Sequence, residues 1–187
     1  MRRRRWLPSG FHCRRPATVE NDFLLPAELV DKAREVIVAN RAAGRRIAVA
    51  ESCTGGLVSA ALTEIAGSSD VFEAGYVTYS DQSKTLELRV SPDVVETFGA
   101  VSVATAWAMA QGALEASGAD IAVAITGIAG PDGGTEQKPV GTVVFARAER
   151  RPGPDEIVAD QKLFDATEGR SGIRRQAALC ALELLMP

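Results

Sequence analysis

A serine, a tyrosine and a lysine that follow two short apolar runs are the first candidates for chemistry: Ser52, Tyr79 and Lys84. A serine hydroxyl is a poor nucleophile until a base removes its proton. A lysine can be that base where burial or a positive field lowers its pKa to about 7–8, and a tyrosine beside it can relay the proton. The three side chains are therefore a complete set for nucleophilic catalysis if the fold brings them together. The alternative is structural: a serine in a turn, a half-buried strand tyrosine and a solvated helix lysine.

The serine lies in a polar corner between a predicted strand and a predicted helix. Residues 46–50 are mostly apolar, and apolar residues recur at helical spacing from Leu57 onward. The N–H groups of Gly55 and Gly56 at the helix start, with the positive end of the helix dipole, can hold an anion that binds or that develops during a reaction. The alternative is a tight turn capped by Thr54. The same corner contains Glu51, which either orients the reacting groups or anchors the turn.

Histidine and cysteine usage excludes several other site types. The single histidine, His12, lies outside the predicted core, which almost excludes a Ser–His–Asp triad and a histidine-rich metal site. Cys13, Cys53 and Cys180 are odd in number and show no close pair spacing, which suits a reducing, cytoplasmic compartment and predicts neither a disulfide framework nor a zinc site. We expect Cys53 to be a buried structural cysteine, and we predict no metal and no cofactor.

The composition is that of one globular domain. The chain has 187 residues, of which 46% are hydrophobic and 24% charged. A net charge of −3 and an aromatic content of 5% argue against nucleic-acid binding, and no apolar run is long enough to cross a membrane. Residues 1–22 are basic and rich in turn residues, so we predict a disordered tail, with an organellar leader or a nucleic-acid arm as alternatives. Residues 23–187 are predicted to form a single domain.

Helical and strand patterns alternate along that domain. We predict helices over residues 26–43, from 57, from 80 or 81, from 92 to 98, over 102–117 and over 170–186, and strands over 46–50, 75–80, 120–126, 140–148 and 156–164. The last two strands are joined by a hairpin loop, so they run antiparallel. The fold class is therefore α/β: a three-layer α/β/α sandwich with a mixed, mostly parallel central sheet.

Two further stretches can bind a ligand at the strand ends. Residues 127–134 contain four glycines and a proline in a closely flanked loop, which predicts a shaped loop rather than a linker. Arg170, Arg174 and Arg175 cluster at the start of the last helix, where their charge opposes the dipole. They can grip a phosphate through charge-assisted bonds, or form a solvated face or a subunit contact.

Several long motifs occur in an order that resembles the CinA C-terminal domain family, from about residue 26 to the C-terminus. They are Ala50-Glu51-Ser52-Cys53-Thr54-Gly55-Gly56, Gly67-Ser68-Ser69, Tyr76-Val77-Thr78-Tyr79-Ser80, Gly99-Ala100-Val101-Ser102, Thr126-Gly127-Ile128-Ala129-Gly130-Pro131-Asp132-Gly133-Gly134 and Lys138-Pro139-Val140-Gly141-Thr142-Val143. The resemblance implies hydrolysis of the carboxamide of nicotinamide mononucleotide to nicotinate mononucleotide and ammonia. It also implies a serine-dependent, metal-free mechanism and a homo-oligomer.

The resemblance places the catalytic residues at Ser52, Tyr79 and Lys84. The residues expected to bind the substrate are Glu51, Thr54, Gly55, Gly56, Gly127, Ala129, Gly130 and Arg170. One departure concerns the Gly-Asp-Arg that the family commonly has before the last helix, since here it reads Glu168-Gly169-Arg170. The alternative function is a non-catalytic module that binds a nucleotide or a partner, linked to competence or DNA damage.

Overall fold

The protein was analysed as a computed structural model that describes residues 23–150 and 158–187. The described part contains six α-helices and a five-stranded sheet. The helices are α1 Ala27–Ala43, α2 Leu57–Thr63, α3 Asp81–Leu88, α4 Pro92–Phe98, α5 Val103–Ser117 and α6 Gly169–Leu184. The strands are β1 Ile47–Glu51, β2 Phe72–Val77, β3 Ile121–Gly127, β4 Thr142–Glu149 and β5 Val158–Leu163. None of the described helices combines the length and apolar character that crossing a membrane requires.

The sheet has the strand order β2-β1-β3-β4-β5. β1 pairs in parallel with β2 and with β3, whereas β4 pairs antiparallel with β3 and with β5. Of the five described strands, four therefore point the same way and β4 is reversed, which confirms the mixed sheet. The carboxyl ends of β1, β2 and β3 meet at one edge, and this edge carries the loops that contain the predicted site.

Each face of the sheet packs against its own helical layer. On one face, large apolar side chains of β1, β3 and β4 contact α1, α2 and α6. On the other face these strands present mainly alanines, such as Ala48, Ala124 and Ala146, to α5. The small residues allow close packing there, and Gly112 of α5 contacts the backbone at Leu88 so closely that no side chain would fit. These two layers confirm the predicted three-layer sandwich.

The strand ends differ from our predictions by one to three residues, and turns explain two of these differences. β2 begins at Phe72 rather than at residue 75. β2 ends at Val77, since Ser80 caps α3 through a reciprocal pair of bonds with Ser83, and this leaves Tyr79 in the connecting loop. β4 begins at Thr142 rather than at residue 140, because the Thr142 N–H and hydroxyl both donate to Pro139 O in a turn. The predicted tail over residues 1–22 lies outside the described residues, as do residues 151–154 of the hairpin loop predicted over 150–154 and the first two residues of the strand predicted over 156–164.

Candidate active site

Ser52 directly follows β1 and lies at the sheet edge where the parallel strands β1, β2 and β3 end. The N–H of Ser52 donates to Ile125 O of β3 at 2.9 Å, and the N–H of Thr78 donates to Glu51 O at 2.9 Å. Ser52 is therefore fixed between the ends of β2 and β3, with only 8% of its surface exposed. The sheet edge therefore brings the segment with Ser52 next to the segment that follows β2, as the parallel pairing requires.

Glu51 anchors the start of α2. Its carboxylate accepts bonds from the N–H groups of Gly56 at 3.0 Å, Val58 at 3.2 Å and Ser59 at 2.8 Å, and from the Ser59 hydroxyl at 2.8 Å. The side chain is fully buried. Of the two roles considered from sequence, the geometry favours the anchor, because no face of this carboxylate is open to a substrate. The anion held by the helix start is thus the protein's own Glu51.

This arrangement corrects the predicted roles of Thr54, Gly55 and Gly56. Thr54 does not cap α2, since its hydroxyl is buried without a hydrogen-bond partner. The N–H of Gly56 is taken by Glu51, and the N–H of Gly55 donates to Ser52 O at 3.0 Å, closing a turn over residues 52–55. The glycine pair cannot therefore supply free donors for an oxyanion. Gly55 instead supplies the positive φ of +63° that this turn needs.

Two other N–H groups of the turn face the Cys53 thiol. Within the described residues, the N–H groups of Cys53 and Thr54 donate to no oxygen acceptor. They lie beside the Cys53 thiol. Burial raises the pKa of this thiol to about 12, and the two N–H groups and Arg174 offset the rise only in part. A buried thiol of this kind is protonated at neutral pH. Cys53 is therefore the buried structural cysteine that we expected.

Lys84 is buried next to the same strand end. Its side chain is 1% exposed, and Nζ donates to Thr78 O at 3.1 Å and to Ser80 O at 3.5 Å. The exposed Asp81 carboxylate lies 3.6 Å from Nζ. Because Thr78 also donates its N–H to Glu51 O, one residue links the lysine to the segment that carries Ser52. The hydrogen bonds of the described residues include none between Lys84 Nζ and Ser52 Oγ.

Thr78 lies between Lys84 and the Ser52 segment, and the sequence reasoning did not single it out. Its hydroxyl is fully buried and has no hydrogen-bond partner among the described residues. Its carbonyl oxygen accepts from Lys84 Nζ at 3.1 Å, so the residue lies directly against the candidate base. The sequence signal was a threonine at the end of a strand pattern, where a β-branched residue is expected for packing alone.

Tyr79 and Arg170 meet on the open side of the site. Tyr79 is 59% exposed, and its hydroxyl accepts a bond of 2.7 Å from Arg170 Nη2. Arg170 Nη1 donates to Gly130 O at 2.6 Å. The arginine thus ties the loop after β2 to the glycine loop after β3. The tyrosine is joined to Arg170 and not, in this arrangement, to Lys84.

The glycine loop is shaped by close contacts, as predicted. Gly130 has φ +78°, and a Cβ there would lie 2.6 Å from Val140 Cγ1. A Cβ on Gly127 would lie 2.8 Å from Thr142 O. Ala129 between them is buried at 4% exposure. These residues position the loop beside Tyr79 and Arg170, and their own side chains offer no polar group to a ligand.

The three arginines of α6 have separate partners. Arg174 donates from Nε to Cys53 O at 3.1 Å and from Nη2 to Thr54 O at 2.7 Å. Arg175 lies 3.2 Å from Glu28 and 3.7 Å from Glu168. Gly169 brings no acid to this position, and Glu168 pairs with Arg175. Among the described residues, no three His, Cys, Asp or Glu side chains are grouped so that they could hold a metal ion.

Comparison with known proteins agrees with the motif order. The CinA C-terminal domain family matches residues 30–187. The chain is 46% identical over 159 residues to nicotinamide-nucleotide amidohydrolase PncC of Escherichia coli K12, covering 85% of this chain and 93% of that protein. It is 50% identical over 149 residues to a CinA-like protein of Mycobacterium avium, covering 80% of this chain but 34% of that protein. The chain therefore spans about a third of the length of CinA-like relatives of that kind.

Solved structures give the same assignment. The competence/damage inducible protein CihA from Agrobacterium tumefaciens is similar with a TM-score of 0.82 and 44% identity, covering 87% of this chain and 96% of that one. A CinA superfamily protein from Klebsiella pneumoniae is similar with a TM-score of 0.77 and 36% identity, covering 84% and 94%. The fold, the motifs and these matches agree that the chain belongs to the CinA C-terminal domain family.

Proposed function

We propose that this protein hydrolyses the carboxamide of a nicotinamide nucleotide, with nicotinamide mononucleotide as the substrate, and releases ammonia. The observation that carries the proposal is the 46% identity to the Escherichia coli nicotinamide-nucleotide amidohydrolase over 93% of that enzyme's length. Relatives that share only a third of their length with this chain contribute less to it. The arrangement at the strand ends supports the same chemistry.

In the proposed mechanism, Ser52 Oγ attacks the carboxamide carbon while Lys84 Nζ takes the hydroxyl proton. The tetrahedral intermediate collapses as the C–N bond breaks, and the proton passes from the lysine to the leaving ammonia. Water then attacks the resulting ester, which restores the Ser52 hydroxyl and frees the carboxylate product. Burial of Lys84 and its link through Thr78 to the Ser52 segment support this division of roles.

The charge that develops on the substrate oxygen needs donors other than the glycine pair. We assign the N–H groups of Cys53 and Thr54, because they follow the nucleophile directly and donate to no oxygen within the described residues. An N–H immediately after the nucleophile is a recurring oxyanion donor in serine hydrolases. Removing one such donor elsewhere lowers kcat by about 10²–10³.

We assign the nucleotide part of the substrate to the open side of the site. Arg170, the exposed Tyr79 hydroxyl and the glycine loop lie there in one connected group. A guanidinium offers five donors, and the two that bind Gly130 and Tyr79 leave others for a phosphate. In this proposal Tyr79 positions the nucleotide rather than relaying a proton, because its hydroxyl is bound to Arg170 and not to Lys84.

The proposal is tested by incubating the full chain with nicotinamide mononucleotide. Ammonia is measured by a coupled assay and nicotinate mononucleotide by chromatography, and we expect both products in equal amounts. Calorimetric binding of the nucleotide with no product after prolonged incubation would instead favour a non-catalytic binding module. Product from nicotinamide riboside at the same rate would refute the assignment of a phosphate-binding group.

We also propose that the chain works as a homo-oligomer. Val77, Leu86 and Phe98 are each more than half exposed although they are large and apolar. Such surfaces often mark contacts between subunits. Light scattering should then give a mass that is a multiple of 19.8 kDa, and a mass of one chain would contradict the proposal.

A further inference from the structure

Arg174 holds two consecutive carbonyl groups of the turn that carries Ser52. Its Nε donates to Cys53 O and its Nη2 to Thr54 O, at 3.1 and 2.7 Å. The third carbonyl, Ser52 O, accepts from the N–H of Gly55 at 3.0 Å. All three carbonyl oxygens of residues 52–54 therefore have a donor, and two of the three donors come from one side chain of α6.

Holding a carbonyl also fixes the direction of the N–H in the same peptide unit. In a trans peptide the C=O and the N–H point in opposite directions. The cis bond of the described residues is Gly130–Pro131, so the peptides of this turn are trans. With the Cys53 carbonyl bound to Arg174, the N–H of Thr54 points away from the guanidinium. The Thr54 carbonyl likewise directs the N–H of Gly55 to the side on which it meets Ser52 O.

We propose that Arg174 is a positioning residue that orients the turn over residues 52–55, and with it the Ser52 hydroxyl and the Thr54 N–H. This inference rests on the proposed function for its kinetic consequences. The fork of the guanidinium is what the role requires, because two donors in one plane reach two successive carbonyls. A lysine at this position carries the same charge, but its donors radiate from one nitrogen, so it does not reproduce the planar pair of donors that reaches Cys53 O and Thr54 O together.

The competing role for Arg174 is a direct grip on the substrate phosphate. The two roles predict different kinetics. A phosphate contact is made equally in the ground and transition states, so its loss raises KM, and a lysine restores part of it by charge. Loss of orientation at the nucleophile instead lowers kcat with little change in KM, and a lysine does not restore it.

The first test is steady-state ammonia release from nicotinamide mononucleotide by Arg174→Ala, Arg174→Lys and Arg175→Ala. We expect kcat of both Arg174 variants to fall by about 100-fold, the size typical of a small misplacement of reacting groups, with KM nearly unchanged. Arg175→Ala is the matched control, since Arg175 pairs with Glu28 and Glu168 instead of the turn. A raised KM with unchanged kcat, or recovery of activity in Arg174→Lys, would overturn the inference.

The second test needs no catalysis and separates this inference from the proposed function. Hydrogen exchange of a peptide that spans residues 52–58 is compared between the wild type and the Arg174→Ala and Arg175→Ala variants. We expect faster exchange in Arg174→Ala only, because the turn loses two of its three carbonyl bonds. Equal exchange in all three proteins would overturn the role of Arg174 even if the wild type is an active amidase. A wild type without amidase activity would refute the function alone.

Discussion

Replacing Glu51 with glutamine removes the one charge that holds the start of α2. The carboxylate accepts four hydrogen bonds, three from backbone N–H groups and one from the Ser59 hydroxyl. Glutamine keeps one carbonyl oxygen, and its best orientation leaves that oxygen facing Gly56 and Val58. Its amide nitrogen then faces the N–H of Ser59, so that donor loses its acceptor, while the other bonds lose their charge.

The cost follows from these bonds. A hydrogen bond to a charged group contributes about 1.5–3 kcal/mol, and bonds between neutral groups contribute roughly half of that. The Ser59 hydroxyl can turn to accept from the amide nitrogen, so one bond is lost and two are weakened, which lowers the free energy of unfolding by about 3–6 kcal/mol. For a domain of this size, each kcal/mol shifts Tm by about 2–4 °C, so we expect Tm to fall by roughly 6–24 °C.

Thermal unfolding followed by circular dichroism measures this shift. The matched control is Glu115→Gln, on an exposed position of α5, which should change stability by less than about 0.5 kcal/mol. We also expect reduced amidase activity in Glu51→Gln below its Tm, because the anchored helix start adjoins Ser52. If Glu51→Gln had the same Tm as the Glu115→Gln control, the four hydrogen bonds would not stabilise the start of α2.

Three further predictions concern the same site. Lys84→Met should lower ammonia release by at least about 100-fold, the contribution of a general base, and its Tm should stay close to that of the wild type because methionine fills the buried volume. Unchanged turnover would show that the lysine has no part in the mechanism. Cys53→Ala should retain activity, and Cys53 of the wild type should resist iodoacetamide at pH 8, where a pKa of about 12 leaves roughly one thiolate in 10⁴. Loss of turnover in Cys53→Ala would instead favour the thiol as the nucleophile. Gly130→Ala should lower Tm more than Gly133→Ala, because both glycines have a positive φ but only at Gly130 would a Cβ lie 2.6 Å from Val140. Equal Tm shifts would show that this contact with Val140 does not lower the stability.

The order of the elements and the layers could be predicted from the sequence because they depend on periodic patterns. The buried runs at β1 and β3 and the helical spacing in α1 and α5 are local signals that the packing preserves. Strand boundaries that depend on turns could not be predicted from these periodic patterns. The end of β2 at Val77 depends on the Ser80–Ser83 cap, which removes Tyr79 from the strand.

The sequence could predict which side chains gather at one edge of the sheet better than it could predict their hydrogen bonds. Parallel strands made it possible to place Ser52 and Lys84 near the same sheet edge. The sequence does not specify which donor meets which acceptor. We therefore predicted the N–H groups of Gly55 and Gly56 as free donors, whereas in the structure they donate to Ser52 O and to the Glu51 carboxylate. Contacts across more than 100 positions, such as Arg174 to Cys53, depend on how α6 docks and carry no local signal.

The central claim is that the hydroxyl of Ser52 is the nucleophile of a nicotinamide-nucleotide amidase. The most direct measurement is ammonia release from nicotinamide mononucleotide by Ser52→Ala, alongside the wild type and with the Tm of both recorded. We predict that the variant folds with a similar Tm, still binds the nucleotide by calorimetry and releases no ammonia above the uncatalysed rate. Turnover by Ser52→Ala at the wild-type rate would contradict the account.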